Sequence, residues 1–153
     1  MNRWRTVAVS AALVLPVSLM AQGGQTKGPE IPQMTDEAID TAIATLNEAM
    51  EDPKFAEDPT SVLSMPLYRF GGAILKGGQL SAAQEKRVLA YLKEMKTKAP
   101  SEKERLNTHI FQVQNLTIGK TAPDIVGEDL DEVPFKLSDY RGKVVVLDFW
   151  GDW

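Results

Sequence analysis

The chain of 153 residues contains no cysteine and a single histidine, His109. It can therefore form neither a disulfide nor a thiol-based metal site, and one histidine is too few for a usual structural zinc site. Basic residues are in the minority, since 17 lysines and arginines stand against 21 acids and leave a net charge of −4. Phosphate binding needs a basic surface, so we expect no nucleic-acid partner. No motif indicates a cofactor or a metal, and we expect neither.

The remaining composition is that of an ordinary globular protein. Hydrophobic residues make up 43% and charged residues 25% of the chain, which argues against wholesale disorder. Two motif-like features are discarded. Lys120 and Thr121 follow Gly119 as in a phosphate-binding loop, but Gln114 occupies the position where that loop needs its first glycine. His109 has no acid or second histidine at motif spacing, so we interpret it as a structural residue.

The first 21 residues have the pattern of a secretory signal peptide. Residues 1–5 carry two arginines, residues 6–20 form an apolar run, and Ala21 offers a small residue for cleavage. The run is shorter than the ~20 residues of a membrane-spanning helix and is interrupted by Pro16. We therefore predict cleavage after Ala21 and a secreted or periplasmic bacterial protein. The alternative is an uncleaved segment that anchors the chain in a membrane.

A helical region follows a predicted linker at residues 22–34, which is rich in glycine, proline and polar residues. Over residues 35–114 apolar side chains recur at helical spacing, and we predict four short helices in one all-α unit. The first helix begins at the N-cap Thr35 and ends before Pro53. The second, with a weaker pattern, runs from about residue 60 to residue 75.

The third and fourth predicted helices each begin with a capping box. Ser81 and Gln84 form the first box, and Ser101 and Glu104 form the second, with Pro100 between the helices. The residues predicted to form the buried stripes of the first, third and fourth helices are Ile39, Ile43, Leu46 and Met50; Val88, Leu89, Leu92 and Met95; and Leu106, Ile110 and Val113. The sequence pattern of this region predicts a helical fold and indicates no function.

After Leu116 the pattern changes to strands and turns. The run at residues 144–149 is almost wholly apolar and β-branched, which is typical of a strand covered on both faces in a parallel or mixed sheet. Such a strand requires helices on both sides. The predicted fold class is therefore α+β overall: an all-α segment, then the incomplete start of an α/β domain at residues 115–153.

The order of motifs in this last quarter of the chain resembles a known family. Ala-Pro-Asp-Ile at residues 122–125, Phe-Lys-Leu-Ser-Asp-Tyr-Arg-Gly-Lys at residues 135–143 and the run at residues 144–153 follow one another as in the thioredoxin-like redoxins. The similarity is strongest to the TlpA-like and AhpC/TSA-related secreted members. It implies a thioredoxin-like fold and an oxidoreductase that exchanges disulfides with protein substrates or a redox partner.

The resemblance also implies roles for three residues near a redox centre. In the family a Cys-x-x-Cys directly follows the tryptophan matched by Trp153, at a helix N-terminus that lowers the pKa of the first thiol. Trp153 would flank this nucleophile and Trp150 would pack beneath the site. Asp148, among Val146 and Leu147, would be a buried proton acceptor for the resolving thiol. Alternatively, Asp148 faces solvent and the tryptophans are core aromatics.

Because the chain holds no cysteine, we expect it to be inactive by itself and to be the N-terminal part of a longer protein. Three explanations for the end at Trp153 stay open: a sequence fragment, a truncated gene, or a UGA codon for selenocysteine interpreted as a stop. Two alternative functions also remain. One is a peroxiredoxin-like peroxide reductase, and the other is a non-catalytic exported binding protein in which the redoxin part is vestigial.

Overall fold

The computed structural model of the chain describes residues 30–129 and 131–148. The contacts divide it into two units, of which one ends at Ala122 and the other begins at Pro123. We call the described residues up to Ala122 the helical unit and those from Pro123 the redoxin-like segment. The predicted α+β class is confirmed, because four α-helices accompany a two-stranded antiparallel sheet in the described residues. The signal peptide, Trp150 and Trp153 lie outside those residues.

The helical unit contains helices α1 to α4, which correspond to the four predicted helices. Their bounds are Asp36–Met50, Pro59–Lys76, Ala82–Lys98 and Lys103–Asn115, with short 3-10 helices at Pro53–Ala56 and Pro100–Glu102. The N-cap of α1 is Thr35, whose hydroxyl accepts a hydrogen bond from the Ala38 N–H at 3.2 Å. The predicted capping box of Ser81 and Gln84 is formed at the start of α3. Side-chain caps that are local in sequence thus fix these helix starts.

The capping box predicted at Ser101 and Glu104 is wrong. Pro100–Glu102 folds as a 3-10 helix that continues into α4, so Ser101 lies inside a helical turn and not at its start. The N-cap of α4 is Glu102, and no side chain caps that end of the helix. A 3-10 turn at a helix start satisfies free N–H groups without a serine cap, which explains the difference.

The core of the helical unit is formed by the apolar stripes of its helices and by α2. Its buried hydrophobic residues are Met34, Ile39, Ala42, Leu46, Leu63, Leu67, Phe70, Ile74, Val88, Leu92, Met95, Ala99, Leu106 and Val113. The predicted stripe residues Ile43, Met50, Leu89 and Ile110 pack against this core while partly exposed. Helical periodicity therefore identified the buried faces, because helix residues three and four apart share a face.

The buried carboxylate of Glu102 and its partner Arg105, both at the start of α4, make hydrogen bonds to α2. The side chain of Glu102 is 1% exposed, and one of its carboxylate oxygens accepts a hydrogen bond from Arg105 at 2.7 Å while the other accepts one from the Thr60 hydroxyl. Arg105 also donates to the backbone carbonyl of Ser64 at 3.2 Å. A buried carboxylate requires such partners, so these contacts stabilise the packing of α2 on α4.

The two ends of the helical unit meet at Gln79. On the entry side, the Met34 N–H donates to the Gln79 carbonyl at 2.9 Å, and the Gln79 N–H donates to the Pro32 carbonyl at 2.8 Å. On the exit side, Gly119 has a φ of +88° and packs so closely on the Gln79 side chain that an added Cβ would lie 2.6 Å from its Nε2. Glycine permits both this backbone conformation and this close approach.

The redoxin-like segment contains a short antiparallel hairpin. Strand β1 is Val126–Glu128 and strand β2 is Pro134–Lys136, with Gly127 opposite Phe135. A 3-10 helix at Leu137–Tyr140 follows β2 directly. The strand expected at residues 144–149 is not formed over residues 144–148, because no described segment supplies the hydrogen-bonding partner that a strand requires. The only sheet in the described residues is antiparallel, not parallel or mixed.

Candidate functional site

Hydrogen bonds between Asp124 and Ser138 connect the start of the redoxin-like segment to its 3-10 helix. The Ser138 N–H donates to one carboxylate oxygen of Asp124 at 2.8 Å, and the Ser138 hydroxyl donates to the other at 2.9 Å. The Leu137 N–H adds a bond to the Ile125 carbonyl at 2.9 Å. The bonds from the backbone and then the hydroxyl of Ser138 lower the pKa of Asp124 below its ordinary value, because they favour the charged carboxylate.

The acidic turn between β1 and β2 is organised by Asp129. Its carboxylate accepts hydrogen bonds from the N–H groups of Asp131 and Val133, both at 2.9 Å. Glu132 has a φ of 62°, in the left-handed region, and its N–H donates to the Asp129 carbonyl at 3.1 Å. An aspartate at the first position of a turn commonly bonds the backbone in this way. The Asp129 carboxylate therefore has a local structural role.

The approach to the expected redox centre is exposed. The side chains of Val144 and Val146 are 96% and 74% exposed, and Asp148 is also exposed. Val146 and Leu147 thus do not bury the Asp148 carboxyl group in the described residues. Its role as a proton acceptor, and the roles of Trp150 and Trp153 outside the described residues, stay predictions.

His109 lies at the contact between α4 and α2. Its Nδ1 is 3.1 Å from Gln112 Oε1, and its ring meets the edge of Phe70 at a centroid distance of 6.3 Å. Burial lowers the pKa of His109, the hydrogen bond with Gln112 opposes the shift, and the nearby Arg105 lowers the pKa further. In the part of the chain that the structure describes, no acid contacts the ring, so the geometry is that of a packed structural histidine.

A groove of about 470 Å³ runs between α1 and α2. It is lined by three alanines, Phe70, three threonines, one carboxylate and one guanidinium. The lining residues are Thr35, Glu37, Ala38, Thr41, Ala42, Thr45, Arg69, Phe70 and Ala73. Thr41 and Thr45 donate their hydroxyl protons to carbonyls of their own helix, at 2.9 and 3.0 Å. The groove is therefore a recess with few free donors.

Two further properties concern only residues 30–129 and 131–148. Within this part of the chain, no group of three or more histidine, aspartate or glutamate side chains is arranged to hold a metal ion. In the same residues, no helix combines the length and the apolar character needed to cross a lipid bilayer.

Comparisons with known proteins give a partial similarity. The chain is 53% identical over 38 residues to the thiol-disulfide oxidoreductase ResA of Geobacillus thermodenitrificans, and 55% identical over 38 residues to that of Geobacillus kaustophilus. It is 45% identical over 40 residues to the ResA of Bacillus anthracis. These matches cover 25 to 26% of this chain and span only 22 to 23% of the length of the relatives. A quarter of the chain is thus similar to thiol-disulfide oxidoreductases.

Neither of the other comparisons extends this result. No family model matches the chain, and no solved structure matches it. The similarity supports the resemblance to thioredoxin-like proteins for a quarter of the chain.

The pairing of Asp124 with Ser138 was missed at the sequence level, although both residues belong to the motifs that carry the resemblance. They are 14 positions apart, and only the hairpin between them brings them together. The signal that could have found the pair is an aspartate before one strand and a serine after the next, at the same end of an antiparallel hairpin. Asp129 was likewise recognisable as a turn former.

Proposed function

We propose that residues 115–153 form the start of a thioredoxin-like redoxin domain, and that the whole protein is an exported thiol–disulfide oxidoreductase acting on protein disulfides. The observation that carries this proposal is the 53% identity over 38 residues to a ResA protein. The hairpin and its Asp124–Ser138 bonds support it, because they give the matched motifs an ordered local structure. The match spans only 22% of the length of that relative, so the substrate and the redox partner are part of the proposal.

The chemistry requires thiols that this chain does not contain. In the proposed reaction a thiolate attacks one sulfur of a substrate disulfide, forms a mixed disulfide and releases the other substrate sulfur as a thiolate. A resolving thiol then loses its proton, attacks the mixed disulfide and releases the second substrate sulfur. Asp148 would accept that proton, and Trp153 would shape the surface on which the substrate docks.

The test compares the 153-residue chain with the complete product of its gene in the reduction of insulin disulfides by dithiothreitol. We expect the chain alone to match the uncatalysed rate, and the complete product to exceed it at least tenfold. Asp148→Asn in the complete product should slow the reaction, whereas Asp131→Asn, at an exposed acid of the hairpin turn, should leave it unchanged. A complete product without a thiol or selenol close after Trp153 contradicts the proposal, and peroxide reduction without disulfide reduction supports the peroxiredoxin-like alternative.

Export is a separate part of the proposal. It rests on the pattern of residues 1–21, with two arginines ahead of an apolar run. Fusion of residues 1–34 to alkaline phosphatase, which is active only after export, should give active enzyme in a bacterial host, and N-terminal sequencing should locate the cleavage after Ala21. Replacing Arg3 and Arg5 by glutamate should reduce the activity. An active but uncleaved fusion would indicate the membrane-anchored alternative.

A non-catalytic binding protein is the second candidate function. The observation that favours it is the absence of cysteine from all 153 residues. The helical unit has its own core and a groove between α1 and α2, so a folded binding module is physically reasonable. A gene product that lacks any thiol but remains folded and exported would favour this function over the oxidoreductase.

A further inference from the structure

The outer face of α2 carries a regular stripe of uncharged residues that no described element covers. The stripe consists of Ser61, Met65, Tyr68, Gly72 and Leu75. Met65 is 55% exposed and Tyr68 is 76% exposed, whereas the opposite face of the same helix holds Leu63, Leu67, Phe70 and Ile74 in the core. The stripe is therefore additional to the face that packs the helical unit. Met65 and Tyr68 lie one turn apart, so these two large exposed side chains together can form the centre of an interaction site.

The spacing of the stripe is that of a helix–helix seam. Its residues are separated by four, three, four and three positions, which is the alternation of a heptad repeat. A helix that keeps this spacing presents one narrow seam to one partner helix, and Pro66, which lies inside α2, is off that seam. Ser61 and Gly72 are small, so a second helix can approach closely near both ends of the seam, while Met65 and Tyr68 supply the contact area at its centre.

Charge is distributed unequally along α2. Glu57 and Asp58 precede its first residue, and Lys76 is its last, all three with exposed side chains. Between these ends the stripe carries no charge. An identical helix that lies antiparallel places its acidic start beside the basic end of the first. The helix dipoles are then also opposed, which is favourable.

We propose that α2 is the interface of a homodimer, in which two copies of the chain pair antiparallel about a two-fold axis midway between Met65 and Tyr68. In this register Met65 of each copy meets Tyr68 of the other, Ser61 meets Gly72, and Glu57 meets Lys76. Each pair occurs twice, as a symmetric interface between identical surfaces requires. The stripe, its small residues and its charged ends are thus all matched by a second copy of the same helix.

A second copy fits the stripe better than a lipid surface does. A membrane-binding helix carries several lysines and arginines along the edges of its apolar face, whereas α2 has only Arg69 and Lys76 there and has two carboxylates, of Glu57 and Asp58, at its start. One helix face buries less than the ~800 Å² per partner of a standard interface, so we expect a dissociation constant in the micromolar range or weaker.

The test is sedimentation velocity of the full chain over low to high micromolar concentrations. We expect a reversible monomer–dimer equilibrium, which Tyr68→Glu should weaken at least tenfold because it places two carboxylates at the centre of the seam. Glu48→Gln, at a charged surface position of α1, serves as the matched control and should leave the equilibrium unchanged. Far-ultraviolet circular dichroism must show that every variant remains folded.

Charge exchange between two variants tests the antiparallel register itself. Lys76→Glu brings acid against acid at both ends of the dimer, and Glu57→Lys brings base against base, so each variant alone should associate less than the original chain at low salt. An equimolar mixture of the two should associate again, because every facing pair then has opposite charges.

Three results would overturn the proposal. A chain that stays monomeric throughout the concentration range has no such interface. A dimer that is unaffected by Tyr68→Glu uses another surface, such as the apolar N-terminal run. A mixture of the charge variants that associates no better than either alone excludes this register.

Discussion

The helical unit and the redoxin-like segment differ in what holds their residues in place. The helical unit buries side chains from all four of its helices around one core. In the redoxin-like segment, no residue among 123–129 and 131–148 is buried, and its order comes from hydrogen bonds such as those between Asp124 and Ser138. Hydrophobic burial is the main source of folding free energy, so the helical unit carries most of the stability. A local hairpin of this size adds little by itself.

The largest expected effect comes from removing an aromatic ring from the core. Phe70→Ala should lower the free energy of unfolding by roughly 3–5 kcal/mol, because the ring is fully buried and leaves a cavity. Phe135→Ala, on the half-exposed ring that faces Gly127 across the hairpin, should change it by less than about 0.5 kcal/mol. Urea unfolding followed by circular dichroism measures both. Equal effects of the two substitutions would contradict the division of stability between the regions.

The second-largest effect comes from comparing two neighbouring glycines of α2, Gly71 and Gly72. A Cβ at Gly71 would lie 2.7 Å from His109 Cε1, whereas a Cβ at Gly72 meets no atom within 4 Å. Gly71→Ala should therefore destabilise the chain by about 1–3 kcal/mol through overpacking, since Phe70 and Gln112 hold the imidazole ring. Gly72→Ala should stabilise it by roughly 0.5–1 kcal/mol, because alanine favours helix. The two thermal midpoints, measured in dilute solution, should move in opposite directions, and a shift in the same direction would exclude the close contact.

A smaller effect is the pH dependence of the stability of the helical unit, through His109. Burial lowers the pKa of His109 in the folded state, so the unfolded state binds the proton more readily. The contribution of neutral His109 to the free energy of unfolding is fully present above its unfolded pKa of about 6.5. It is lost as pH falls towards the lowered folded value. Thermal midpoints should decline over this window, and His109→Gln should flatten the decline. An unchanged pH profile in the variant would show that other groups cause it.

The smallest expected effect belongs to the redoxin-like segment. The folded pKa of Asp124 is lowered. The stabilisation of the hairpin by its charged carboxylate is therefore present above the unfolded pKa of about 4, and it is lost as pH falls through the lowered value. Asp124→Asn should accelerate amide hydrogen exchange at Ser138 without changing the unfolding midpoint of the helical unit. Asp131→Asn is the control, because the exposed Asp131 carboxylate accepts no hydrogen bond from residues 123–129 or 131–148. Faster exchange in both variants would indicate a general effect of charge.

Local sequence patterns predicted much of the helical unit. The cap at Thr35, the capping box of Ser81 and Gln84, and the apolar stripes are all encoded within a few neighbouring residues. The contacts that no local pattern reveals are long-range ones, such as the bond of the Thr60 hydroxyl to Glu102, 42 positions away. The wrong start of α4 has the same origin, because Glu102 is held by α2 and not by a capping serine.

In the redoxin-like segment the strand was predicted from local composition and the site residues from a resemblance. A strand was expected at residues 144–149 because β-branched apolar residues favour strands, but a strand exists only where a neighbour pairs with it. For the candidate site, the residues that the resemblance named were Asp148, Trp150 and Trp153. The contacts that organise the described hairpin instead belong to Asp124, Ser138 and Asp129.

The meeting of Pro32, Met34 and Gly119 at Gln79 has a consequence for how such a chain can be assembled. A domain whose first and last residues touch the same loop can be inserted into, or removed from, a longer polypeptide without separating the sequences on either side. The helical unit has this property, because its entry and its exit both pack on one glutamine. The chain thus enters and leaves the helical unit on the same side of its α2–α3 loop.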